Sequence, residues 1–169
     1  MSQKLEKQLL GKTSVVSGLR ATKARINKQP FDQYRYLVFA THGVLDKDVP
    51  YLKQPALVLT QVGTRDWLDG LLTLTEVMST KMTCDVAALT ACQTGLGRNV
   101  TGEGVMHLGR GFQYAGAKSV LVSLWSVAEE STTFLIERFF GRLKEGQAPR
   151  QALRQASRTF DIRDQISYS

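Results

Sequence analysis

Two side chains in this sequence have the chemistry of a nucleophile and its base. Cys92 follows the apolar run Val86-Ala87-Ala88-Leu89-Thr90-Ala91, and His42 follows the run Tyr34-Arg35-Tyr36-Leu37-Val38-Phe39-Ala40 by way of Thr41. A thiol with a reference pKa of about 8.5 is only a few per cent thiolate at neutral pH, so a nucleophilic cysteine needs an imidazole beside it, as base or as imidazolium partner. Small residues flank both: Gly43 comes after the histidine, and Ala91 and Gly95 surround the cysteine. Backbone N–H groups left open by such residues hold the oxyanion of an attacked carbonyl without any side chain. Taken alone, a cysteine at the end of a buried strand is more often a small core residue than a nucleophile. A histidine at a second strand end and the flanking glycines favour the catalytic role.

His42 and Cys92 are far apart in the chain, so the fold must bring them together. In open parallel sheets, reactive residues gather beyond the carboxyl ends of neighbouring strands, where the loops converge. The spacing predicts short buried strands over 34–40, 56–60, 86–91 and 118–125, each bounded by Gly, Pro or polar segments. A loop is expected after Gly43. Thr73 with Glu76 three residues on has the pattern of a capping box at a helix start. Apolar positions at Val105, Leu108, Phe112 and Ala115 predict a helix over 103–115 that Gly116 closes. A further helix is expected over 129–145, stopped by Gly146, and Pro149 opens the last one. Strands alternating with helices imply right-handed crossovers and an α/β class: a mostly parallel sheet flanked by helices.

Length and composition agree with one domain of that kind. The 169 residues are 43% hydrophobic, enough for a sizeable core, and no stretch approaches the roughly 20 apolar residues of a membrane span. The start of the chain is polar and basic, unlike a secretory signal, so the expected location is the cytoplasm, where both cysteines stay free thiols. The net charge of +7 invites nucleic acid or an acidic membrane as partner, but its placement argues against both. Residues 1–30 carry seven Lys/Arg against Glu6, whereas residues 31–130 carry eight basic against ten acidic. No aromatic interleaving or recognition helix accompanies the basic cluster, so no nucleic acid and no membrane is expected. A nucleic-acid binder would betray itself by steep loss of binding with salt.

The order of several segments resembles one family. Phe39-Ala40-Thr41-His42-Gly43, Asp69-Gly70-Leu71-Leu72-Thr73, Leu89-Thr90-Ala91-Cys92-Gln93-Thr94-Gly95-Leu96-Gly97, Gly102-Glu103-Gly104-Val105, Ala115-Gly116-Ala117-Lys118-Ser119-Val120 and Ser123-Leu124-Trp125-Ser126-Val127 look like the CHAT family. These are caspase-like, separase-related cysteine peptidases often joined to tetratricopeptide repeats. The resemblance runs from about Gln29 to Ser157. It implies a caspase-hemoglobinase-like three-layer fold, peptide-bond hydrolysis by a His-Cys dyad, and no cofactor. Carried onto this sequence, His42 is the base and proton donor, Cys92 the nucleophile, and the N–H groups of Gly43 and Cys92 the oxyanion hole. Two departures touch specificity: the residue after the nucleophile, often Glu in the family, is Gln93, and Ser126-Val127-Ala128-Glu129-Glu130 replaces the usual proline and acidic pair.

Relative to the family, the flanking strands before and after this segment have no counterpart, so the sheet is expected to be incomplete at both termini. Residues 1–29 read as a basic N-terminal extension, helical or irregular, residues 30–160 as the peptidase domain, and residues 161–169 as a polar tail. Open sheet edges call for a cover, and a protein containing tetratricopeptide repeats or another regulatory protein would supply it. The alternative to an active endopeptidase is therefore a weak or inactive interaction module, or a fragment of a larger protein. Asp46 and Asp48, after His42, and Gln93 are candidates to orient the imidazole or meet substrate, although loop carboxylates are usually just solvated. Cys84 reads as a partly buried structural thiol, and His107 as a surface or packing residue off the apolar stripe of its helix. Two His and two Cys at unrelated spacings make no metal site.

Overall fold

The computed structural model describes residues 13–45, 51–63, 66–90, 103–123 and 129–158. The chain divides into two compact units, Val16–Val127 and a second that holds the helices after Ala128. In chain order the described elements are α1 (Lys23–Ile26), β1 (Tyr36–Phe39), β2 (Gly43–Val44), β3 (Ala56–Val58), β4 (Leu71–Thr73), α2 (Leu74–Met78), β5 (Val86–Leu89), α3 (Glu103–Tyr114), β6 (Val120–Val122), α4 (Glu129–Lys144) and α5 (Pro149–Arg158).

The first unit holds two sheets. A parallel sheet runs in the order β1-β5-β6, and an antiparallel sheet in the order β2-β3-β4. β5 is central and buried at every position, which explains why Val86-Ala87-Ala88-Leu89 is apolar without alternation. One face of the parallel sheet, carrying Leu37, Phe39, Ala87, Leu89, Val120 and Val122, shares a core with Val77 of α2 and with Leu108 and Phe112 of α3. Phe39 and Phe112 meet at 5.0 Å between ring centroids, tilted by 58°. The mixed α/β class, with a parallel sheet flanked by helices, is thus the one the sequence predicts.

β2 and β4 are two differences from the predicted elements. Sequence spacing gives a loop after Gly43 and only a lead-in to the helix at Leu71–Thr73. Strands of two and three residues are too short to show a period, and they form because the apolar Ala56–Val58 run offers both of its edges. The predicted capping box is present: Glu76 N–H donates to the Thr73 hydroxyl and Thr73 N–H donates to Glu76 Oε2. Residues near the start of the unit are tied to it as well. Thr60 N–H donates to Ala21 O at 2.9 Å, Lys23 Nζ lies 2.7 Å from Glu76 Oε1, and Ile26 is buried in the core. Burial pushes the Glu76 carboxyl up, but hydrogen bonds from Lys23 and from Thr73 outweigh it and hold the group below its ordinary range.

At the amino ends of the parallel strands, Asp85 accepts from Lys118 Nζ and from Arg35 Nε, each at 2.7 Å. One carboxylate therefore joins the entries of β1, β5 and β6. The hydrogen bond from Lys118, then that from Arg35, holds the Asp85 carboxyl below its usual value. A depressed carboxylate contributes stability above its unfolded pKa of about 3.9 and loses it as pH falls through the lower folded value. The expected result for Asp85→Asn is a thermal midpoint about 2 °C lower at pH 7, with the difference shrinking as pH falls below the unfolded pKa of about 3.9, since exposed pairs contribute little each. Melting both proteins across that range by circular dichroism checks it; a gap that stays constant with pH contradicts it.

In the second unit, α4 and α5 form a helical hairpin. Ile136, Phe139, Phe140 and Leu143 are buried on α4, Ala152 and Ala156 on α5, and Arg142 donates to Gln155 across the pair. Pro149 occupies the first helical position of α5, where its missing N–H costs nothing.

Candidate active site

β1 and β5 pair in parallel, with Phe39 opposite Leu89. His42 is three residues beyond Phe39 and Cys92 three residues beyond Leu89, so the two strands exit side by side with histidine and cysteine at the same offset. The ladder continues one step past β5, where Thr90 N–H donates to Phe39 O at 3.1 Å. Ser123 N–H donates to Leu89 O at 3.3 Å, which brings the end of β6 to the same edge. Cys92, Gln93, Asp46 and Asp48 lie outside the described residues, so the structure gives the exits of the strands and the histidine side of the site.

His42 stands at the junction between the two sheets and is fixed through its backbone. Its carbonyl accepts from Val58 N–H at 2.7 Å, and the hydroxyl of Thr41 donates to Val58 O. His42 is exposed. Gly43, the next residue, is buried and paired with Leu57. Antiparallel ladders alternate hydrogen-bonded and non-hydrogen-bonded pairs. Because His42 and Val58 form a hydrogen-bonded pair, Gly43 and Leu57 form the other kind, and the Gly43 N–H is directed away from β3. Among the described residues β2 pairs on one side only, with β3, so that N–H lies on its other side.

Cys84 precedes β5 at its opposite end and is fully buried, more so than the partial burial expected from sequence, because it sits in the core among Met82, Ala87 and Ala117. Burial pushes its thiol up, which disfavours the reactive thiolate. His107 is exposed on α3. Among the described residues no three His, Cys, Asp or Glu side chains gather as a metal site, and no helix is long and apolar enough to cross a membrane.

Sequence reasoning passed over one residue at this edge. Thr90 is buried, and its polarity inside the run Val86–Ala91 is the only sequence signal that set it apart.

A family model for the CHAT domain matches residues 3–167. The chain is also similar to tetratricopeptide repeat protein 28 of Mus musculus, 33% identical over 76 residues, which is 45% of this chain and 3% of that protein. The similarity to tetratricopeptide repeat protein 28 of Homo sapiens is 35% over 86 residues, 51% of this chain and 3% of that protein. The chain thus spans a small fraction of the length of these relatives.

Proposed function

Because the chain belongs to the CHAT domain family, whose fold is caspase-like, we propose that it is a cysteine endopeptidase with His42 and Cys92 as its dyad. The observation that carries this is the parallel β1/β5 register, which gives both residues the same offset from paired positions. In this mechanism Cys92 gives its proton to His42, and the thiolate attacks a peptide carbonyl carbon. The oxyanion that forms is held by the N–H groups of Gly43 and Cys92. His42 then protonates the departing amine as the C–N bond breaks, leaving a thioester. Water adds to the thioester with His42 as base, and the carboxylic product leaves with the thiol restored.

Asp46, Asp48 and Gln93 are assigned to orienting His42 or meeting substrate. The substrate is a protein or peptide, and no cofactor takes part. The cytoplasm, where thiols stay reduced, suits a free cysteine nucleophile. A second reading has support from one observation: among the described residues, no strand pairs with the outer edges of β1 and β6. Such edges suit an interaction module covered by a partner, such as a protein with tetratricopeptide repeats.

Profiling the intact chain against a peptide library, with Cys92→Ala as control, separates the two. A discrete set of cleavages that disappears in Cys92→Ala supports the peptidase. A profile identical to that of the variant overturns it in favour of the module.

A further inference from the structure

Val58 N–H donates to His42 O at 2.7 Å and Thr60 N–H to Ala21 O at 2.9 Å. Alternate residues of a strand direct their N–H groups to the same edge, so both carbonyls lie on the edge of β3 that β2 occupies. Residues 18–22 therefore take the next place on that edge, one two-residue step of about 7 Å beyond His42. They are held there firmly. Thr22 forms a parallel bridge with Thr60, the Thr60 hydroxyl donates to Gly18 O at 2.7 Å, and the chain just after is anchored by Lys23 on Glu76 and by Ile26 in the core.

Pairing also fixes the face that each side chain takes. Residues opposite one another on paired strands share a face, and so do residues two apart on one strand. His42 lies opposite Val58 and Thr22 opposite Thr60, which puts all four on one face. It is the face where Val44 and Val58 join Leu52, Ala56 and Leu71 in a small cluster, whereas Leu57, Leu59 and Leu72 enter the main core from the other. Thr22 is half-buried, and its hydroxyl does not cap α1, the use that a threonine in that place usually has. An extended peptide repeats its backbone groups on one side every two residues, about 7 Å, which is the step from His42 to Thr22. We propose that residues 18–22 form a wall of the substrate site, with the Thr22 hydroxyl hydrogen-bonding the peptide backbone two residues from the bond cleaved at His42. The role rests on the peptidase assignment above and adds a binding residue to it. Such a bond forms in the ground and transition states alike, so it acts on KM and leaves kcat unchanged.

The test measures kcat and KM for a profiled peptide, together with Cys92 alkylation by iodoacetamide read by mass spectrometry with Cys84 as internal reference. It compares the wild-type chain with Thr22→Val, Thr22→Ser and Cys92→Ala. Thr22→Val is expected to raise KM roughly three- to tenfold, the range for one neutral hydrogen bond, with kcat, the alkylation rate and the melting temperature unchanged. Thr22→Ser restores the wild-type KM. Thr22→Ala gives the same reading as valine should that variant fold poorly. An unchanged KM in the folded variant, or a raised one that serine does not restore, overturns the role of Thr22 and leaves the dyad standing. Slower Cys92 alkylation in folded Thr22→Val also overturns it, since the residue would then act on the dyad and not on the peptide. Wild-type cleavage no different from that of Cys92→Ala overturns the peptidase and this role together.

Discussion

If the proposed dyad operates, His42→Ala is expected to lower kcat/KM for a cleaved peptide by roughly 10²–10⁴-fold, the range for losing a positioned general acid–base group. The loss has two parts. Without an imidazole beside it, a thiol of reference pKa about 8.5 is only a few per cent ionised at pH 7, and the departing amine has no proton donor. Alkylation of Cys92 reports only the first part, so it falls less than peptide turnover does. The variant should fold normally, because the His42 side chain is exposed and the sheet junction is held by its carbonyl and by Thr41. Turnover of a profiled peptide, measured with a melting curve on the same sample, checks the expectation. Turnover within tenfold of wild type, in a folded variant, removes His42 from the mechanism.

Cys84 sharpens that experiment. It is fully buried at the entry of β5, with its thiol pushed up by burial, so it should react slowly in every folded variant. A rise in Cys84 labelling therefore reports unfolding, while a fall in Cys92 labelling with Cys84 unchanged reports chemistry.

What was legible in the sequence follows from the range of the forces involved. β5 and α3 could be read because burial on both faces writes an unbroken apolar run and burial on one face writes a helical period. Helix ends were legible because capping is local: Thr73 with Glu76 starts α2, and Gly116 and Gly146 follow α3 and α4. β2 was not, since Gly43 and Val44 become a strand only through pairing with Leu57 and Ala56, residues across a long connection. The same limit applied to the site. Sequence placed His42 and Cys92 at strand ends, but the side-by-side pairing of those strands is a non-local fact that only the β1/β5 register supplies. That the Gly43 N–H is directed away from β3 depends on β2 as well, so it could not be read from the motif Thr41-His42-Gly43 alone.

Gly116→Ala should destabilise the protein far more than Gly146→Ala, although both glycines do the same job in sequence. Each is the left-handed residue after a helix in a Schellman arrangement. Gly116 N–H donates to Gln113 O and Ala117 N–H to Phe112 O, while Gly146 N–H donates to Leu143 O and Gln147 N–H to Arg142 O. Their φ values are +114° and +84°, so alanine at either pays the left-handed cost of about 1–2 kcal/mol. The surroundings differ. A Cβ on Gly116 would lie 2.1 Å from the Met82 carbonyl oxygen, whereas one on Gly146 meets nothing within 4 Å. Met82 cannot retreat freely, because its own N–H donates to Ala115 O at 2.8 Å, the residue before the glycine. Overpacking against backbone adds about 1–3 kcal/mol, for a total of roughly 3–4 kcal/mol at Gly116. At about 2–4 °C per kcal/mol, the midpoint drops by about 10 °C for Gly116→Ala and by about 4 °C for Gly146→Ala. Equal shifts in the two variants would mean that the Met82 contact carries no weight. The joint also sets where β6 enters beside β5, through Ala117 and Lys118. Gly116→Ala should therefore lose Cys92 reactivity only at temperatures where Cys84 becomes labelled too, whereas His42→Ala loses it in the folded protein.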